Sequence, residues 1–184
     1  AGLKEERVAA EALYAEIGVP PPTAASNGID KHQLVADVAA ALYASKVCSY
    51  AQGYNIIRAK SLEQGWETDL GALARIWKGG CIIRAGFLDR IKQAYQRNPE
   101  LPNLLVDPEF AKDLGDRWAG RQQKAGRPAG RMKTWSLAVG AGIAVPGITS
   151  SLAYFDTYRR GRLPANLVQA QRDFFGSHTY ERTD

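Results

Sequence analysis

DKHQLVADVAAALYASKVCSYAQGYNIIRAKSLEQG, residues Asp30 to Gly65, is the stretch whose periodicity sets the fold. It predicts one helix over about Asp30 to Gln64, with Gly65 as its C-terminal stop. At 1.5 Å per residue that helix is roughly 50 Å long. Ala36, Ala39, Tyr43, Val47, Tyr50, Tyr54 and Ile57 recur at spacings of three and four. A second face carries Leu34, Val38, Leu42 and Ile56, with the small residues Ser45, Cys48 and Ser49 between. A helix apolar on both faces is expected to be covered on both. This one should run through the middle of a domain or through an interface.

Outward from it, the chain reads as helices throughout. A first helix spans about Leu3 to Ile17, stopped by Gly18 and Pro20 to Pro22, with a loop over Pro22 to Gly28. A third follows Thr68 and ends near Gly79-Gly80, and a fourth runs from about Cys81 to Arg97, ended by Asn98-Pro99. Asp107-Pro108 reads as an N-cap followed by a proline at the first helical position, opening a helix over about Glu109 to Ala119. Gly120 to Gly130 reads as a loop, then helices follow at about Met132–Ala141, Ile148–Arg160 and Ala165–Phe175. The remainder, 176–184, reads as a tail. Composition agrees: 28 Ala and 16 Leu stand against 9 Val, 10 Ile and 7 Thr, and β-branched residues lose more side-chain freedom in helices. No segment alternates apolar and polar residues between hairpin turns. The fold class is all-α, a helical domain built around a long central helix.

At 184 residues, 45% hydrophobic and 23% charged, the chain can bury a sizeable core, which argues against disorder. Two cysteines and two histidines are too few for a disulfide framework or a zinc cage, so no metal is expected and the expected compartment is reducing and cytoplasmic. No secretory leader pattern opens the chain. Thr134 to Phe155 carry no charge, but Gly140, Gly142, Pro146, Gly147 and the run Thr149, Ser150, Ser151 divide them into two soluble helices with a break near Pro146. No membrane partner is expected.

The net charge of +5 is uneven. Residues 1–80 hold 8 basic and 9 acidic side chains, residues 81–184 hold 16 and 10. Six cations and no acid lie between Arg117 and Lys133. Such an excess suits an anionic partner: a nucleic acid, a phosphorylated small molecule or a membrane surface. Glycine and proline interrupt the run, which favours a solvated basic loop over a reading helix for nucleic acid.

Other candidate chemistry is sparse. Gly140-Ala141-Gly142 begins like a dinucleotide fingerprint, but the third glycine position is Val145 and no strand precedes it. It reads as a helix end. Cys48 and Cys81 lack redox spacing and read as inert thiols. At the C-terminal end, LPANLVQAQRDFFGSHTYE (Leu163 to Glu181) places Arg172 and His178 where helix becomes tail. Arginine offers a planar fork for phosphate or carboxylate, and histidine a donor or acceptor nearby. On spacing alone the plainer reading, a surface arginine and a solvated tail histidine, is favoured.

Leu163 to Glu181 strongly resembles the C-terminal signature of decarboxylating 6-phosphogluconate dehydrogenases. Further matching pieces lie in that family's order: Leu3 to Val8, Ala41 to Lys46, Ser49 to Gly53, Ile76 to Arg84, Arg97 to Leu101 and Leu152 to Asp156. The resemblance implies the later part of a helical domain (1–175) and the start of a tail (176–184), the C-terminal part of a larger Rossmann-plus-helical enzyme that works as a homodimer. It implies that Arg172 reaches into the neighbouring subunit to bind the 6-phosphate of 6-phosphogluconate, and that His178 contacts the same substrate. NADP would be bound by an N-terminal Rossmann domain outside this chain. So would the lysine and glutamate of the acid–base steps, and no catalytic residue is expected within 1–184. Asn27-Gly28-Ile29-Asp30 only partly matches the family's catalytic segment, lacking its preceding lysine and following tyrosine. The chain alone is expected to be inactive. Two alternatives are a catalytically silent helical interaction scaffold and a basic nucleic-acid-binding module.

Overall fold

Asp30 and Gly65 close the long helix at its two ends. The Asp30 carboxylate accepts hydrogen bonds from the backbone N–H groups of His32 and Gln33, at 2.9 and 3.2 Å. Gly65 adopts φ 65°, the left-handed conformation that lacks a penalty only for glycine. Between them α2 runs unbroken over Lys31–Gln64. A computed structural model describes residues 3–21, 30–118 and 130–181. The expected loop Pro22 to Gly28, the partial match Asn27 to Ile29, and Arg121, Lys124 and Arg127 of the basic run lie outside the described residues.

The described residues are helical and contain no strand: α1 (Lys4–Glu16), α2, α3 (Leu70–Ile76), α4 (Leu88–Arg97), a 3-10 turn (Leu104–Val106), α5 (Pro108–Trp118), α6 (Gly130–Gly140), α7 (Pro146–Tyr158) and α8 (Asn166–Gly176). One face of α2 supplies the centre of the core through Ala44, Val47, Cys48, Ala51 and Tyr54. Against it pack Leu88, Ile91 and Tyr95 of α4, Leu104 of the turn, and Phe110 and Leu114 of α5. Fully burying such a side chain contributes about 1.5–3 kcal/mol. α6 and α7 also lie on α2. Asn103, fully buried, ties the turn to α7: its Oδ1 accepts from the Leu105 N–H, and its Nδ2 donates to the Tyr154 hydroxyl, both at 2.8 Å.

Asp107 does two jobs at 1% exposure. It caps α5 by accepting from the N–H groups of Glu109 and Phe110, and its two oxygens accept from Arg97 Nη2 at 2.8 and 2.9 Å. Residues 134–155 are two helices, α6 and α7, separated by residues 141–145, with Pro146 at the start of α7. By length and composition α2 could cross a membrane. Its buried face and its charged Asp37, Lys46, Arg58 and Lys60 make it the core helix.

Two expectations are corrected. The fourth helix starts at Leu88, not Cys81. Gly80 takes φ 69°, and the Tyr50 hydroxyl donates to the Ile83 carbonyl, committing a group that a helix would need for its own ladder. The second face of α2 is not covered by the described residues: Val38, Leu42 and Ile56 are 41–72% exposed, and Leu34 is half-buried. Nor is any residue of α1 or α8 buried. Among large apolar side chains, Leu167, Phe174 and Phe175 of α8 are the most open to solvent after Ile82.

Candidate functional site

α8 ends at Gly176, and the chain beyond it turns back instead of leaving. Ser177 takes the left-handed conformation at φ 52°, and its N–H donates to the Asp173 carbonyl at 2.7 Å. Thr179 is left-handed as well, at φ 58°. Neither is glycine, so each costs on the order of 1–3 kcal/mol and persists only where surrounding bonds hold it. Here two do. The Thr179 N–H donates to Asp173 Oδ1 at 2.8 Å, and its carbonyl accepts from Gln169 Nε2 at 2.7 Å. Gln169 and Asp173 are one helical turn apart, on the same face of α8.

The turn back brings the two sequence-predicted residues together. Arg172 and His178 line one open cleft of about 350 Å³ with Gln171, Phe175 and Gly176. The His178 ring lies over Gly176 so closely that a Cβ there would sit 3.1 Å from its Cδ2 and Nε2. The Asp173 carboxylate is engaged by Thr179. Arg172 has no ion-pair partner among the described residues. The arrangement is an arginine fork with an imidazole beside it, open to solvent and suited to a phosphorylated polar ligand. Arg172 and His178 were assigned through the family resemblance; their residue types and spacing alone favoured a plain surface reading. Gln169, Asp173 and Gly176 carry no chemical signature; the only available signal was the turn-spaced pair of polar residues facing the tail.

A larger cleft of about 800 Å³ lies between α2, α3 and α4. Arg58, Arg75 and Lys92 line it, but so do Glu67, Asp69 and Glu100, so their charges cancel. It contains none of the predicted site residues. No group of three or more metal-ligating side chains occurs among the described residues. Gly140-Ala141-Gly142 closes α6, with Gly142 at φ 70°, and no strand leads into it. These residues do not form a cradle for a dinucleotide pyrophosphate.

The thiols differ. Cys48 is fully buried, and burial pushes its pKa to about 12. Cys81 is partly exposed. Arg90 is spent on structure: it pairs with Asp113 at 2.9 Å, donates to the Tyr43 hydroxyl and lies over the Phe110 ring.

Comparison with known proteins bears on the family and the fold. The family model described as 6-phosphogluconate dehydrogenase, C-terminal domain, matches residues 1–184. The chain is 61% identical over 184 residues to 6-phosphogluconate dehydrogenase, decarboxylating 3, chloroplastic, of Arabidopsis thaliana. It is 61% identical over 183 residues to 6-phosphogluconate dehydrogenase, decarboxylating 1, of Spinacia oleracea. In both cases the whole chain is matched, and it spans 36% of the relative's length. Its fold is also similar to Plasmodium falciparum 6-phosphogluconate dehydrogenase, solved in apo form and in complexes with NADP+ and with 6-phosphogluconate. There the TM-score is 0.80 at 38% identity, over 97% of this chain and 36% of that one.

Proposed function

The chain belongs to the 6-phosphogluconate dehydrogenase family, as its C-terminal domain, and from that premise we propose that it serves an NADP-dependent, decarboxylating enzyme by supplying dimer contacts and two substrate ligands, Arg172 and His178, to the neighbouring subunit's site. The single observation that carries the reading is the fold-back of the tail, which sets His178 and Arg172 in one cleft. The exposed apolar side chains Leu167, Phe174 and Phe175 beside that cleft support a second subunit as the docking surface. The cytoplasmic placement is part of the same proposal and rests on two free thiols.

Each residue's task follows from its chemistry. The Arg172 guanidinium presents two parallel N–H groups to two oxygens of the 6-phosphate, fixing the far end of an extended sugar acid. The His178 imidazole donates or accepts at the same end. Neither touches the reacting carbons, so their contribution is binding and orientation. NADP, held by the coenzyme-binding portion, accepts the hydride when bound. Loss of carbon dioxide and protonation of the enediol to ribulose 5-phosphate belong to the family's lysine and glutamate, outside residues 1–184.

The test is a chimaera in which this chain replaces the corresponding C-terminal segment of the spinach relative. Arg172→Ala should weaken 6-phosphogluconate binding by about 2–5 kcal/mol, the cost of truncating one partner of a hydrogen-bonded charge pair. An unchanged KM contradicts the assignment. The 184-residue chain alone should not reduce NADP. A catalytically silent scaffold would keep the exposed apolar faces of α2 and α8, but a chimaera built on a scaffold would be inactive.

A further inference from the structure

We propose that Gln169, Asp173 and Gly176 are positioning residues for His178, holding its imidazole beside Arg172 so that both meet one phosphorylated sugar acid. The inference deepens the reading above and rests on it for the identity of the ligand. The clip itself rests on the geometry of α8 alone.

Residues 177–181 are exposed, so none of these side chains anchors the turn back by burial. The hydrogen bonds do. Gln169 and Asp173 take both backbone polar groups of Thr179, the carbonyl at 2.7 Å and the N–H at 2.8 Å. His178 is thereby caught between two left-handed residues, Ser177 and Thr179, neither of which would keep that conformation unaided. Its ring closes over Gly176, where a methyl group would stand 3.1 Å from two ring atoms. Glycine at 176 is not required by its own backbone, which is not left-handed. A side chain at 176 would instead press on the ring above it, which would have to give by a few tenths of an ångström.

The simpler account, that these bonds merely finish the helix, makes a different prediction. A cap affects stability and leaves substrate binding alone. Gly176→Ala separates the two, because alanine favours a helix over glycine while displacing the His178 ring. No residue of α8 is buried, so substitutions there leave the core intact.

The experiment has two arms. In the full 184-residue chain, nuclear Overhauser contacts between the His178 ring protons and the Gly176 α-protons should be present. They should persist in Asp173→Asn, whose amide oxygen still accepts from Thr179, and disappear in Asp173→Ala and in Gln169→Glu, which cannot donate. Their absence in the unsubstituted chain, or their persistence in both disruptive variants, overturns the clip. In the spinach chimaera, Asp173→Ala, Gln169→Glu and Gly176→Ala should each raise the 6-phosphogluconate KM about tenfold with kcat within about twofold, and Asp173→Asn should restore it. If Arg172→Ala raises KM and these three do not, positioning is overturned while the substrate reading stands. If Arg172→Ala also leaves KM unchanged, both are overturned.

Discussion

Asp107 shows how much one side chain carries when it is buried and fully used. It satisfies two N–H groups at the start of α5, and both its oxygens accept from Arg97 Nη2. Asp107→Ala should destabilise the chain by about 2–4 kcal/mol, combining a lost cap with a broken ion pair, and Asp107→Asn by less. Urea denaturation measures both; a loss below about 0.5 kcal/mol for the alanine variant contradicts this role. Tyr54 is the reverse case. Its ring is buried on α2, but its hydroxyl has no partner among the described residues. Tyr54→Phe should therefore leave stability unchanged or raise it by up to about 1 kcal/mol, since an unsatisfied buried hydroxyl opposes folding. The thiols give a third expectation. A thiol reagent at neutral pH should label Cys81 in the native chain and reach Cys48 only after unfolding, because the thiolate is the reactive form and burial suppresses it at Cys48. Rapid native labelling of Cys48 would contradict the packing described for α2.

At the scale of elements, the sequence was most legible where backbone chemistry is local. Asp30, Gly65, Asp107 and Pro108 mark helix ends through their own conformational and hydrogen-bonding properties, and each lies where that chemistry predicts. Residues 81–87 were not legible. Their departure from helix depends on a hydroxyl from Tyr50, distant in sequence, and no local pattern reports such a bond. The faces of α2 were read in part. Val47 and Tyr54 are buried as expected, but periodicity cannot say that Ala36 and Ala39 stay outside the core. The packing of α2 on α4 also sets an alkaline limit. Burial holds the pKa of Cys48 and of Tyr95 up, each to about 12. Both are raised in the folded state, so their contribution is complete below their ordinary values, 9.0 and 10.0. It is lost as pH climbs towards 12. Denaturation midpoints should fall across that window, and Tyr95→Phe should make the fall shallower. A flat profile would mean these groups are not shielded.

For the whole molecule, the distribution of exposed apolar surface is the informative feature. The buried core is centred on α2 to α5, while α1, the second face of α2 and all of α8 are left uncovered. A 184-residue chain that spans 36% of its relatives' length is expected to show such faces. The candidate site was legible only through the family resemblance, since on residue type and spacing alone Arg172 and His178 favour a plain surface reading; the proposal that they complete a neighbouring subunit's site is a claim about the assembly. Subunit complementation tests that claim most directly. One spinach chimaera carries Arg172→Ala; a second carries a substitution of the catalytic lysine in its coenzyme-bearing portion. Each should be nearly inactive with 6-phosphogluconate at low concentration. If Arg172 serves the neighbouring subunit, dissociating and reassociating an equal mixture should restore about a quarter of the unsubstituted activity, because half the dimers are mixed and each holds one complete site. No recovery above the two parents would contradict the account, since it would place Arg172 in its own subunit's site or in none.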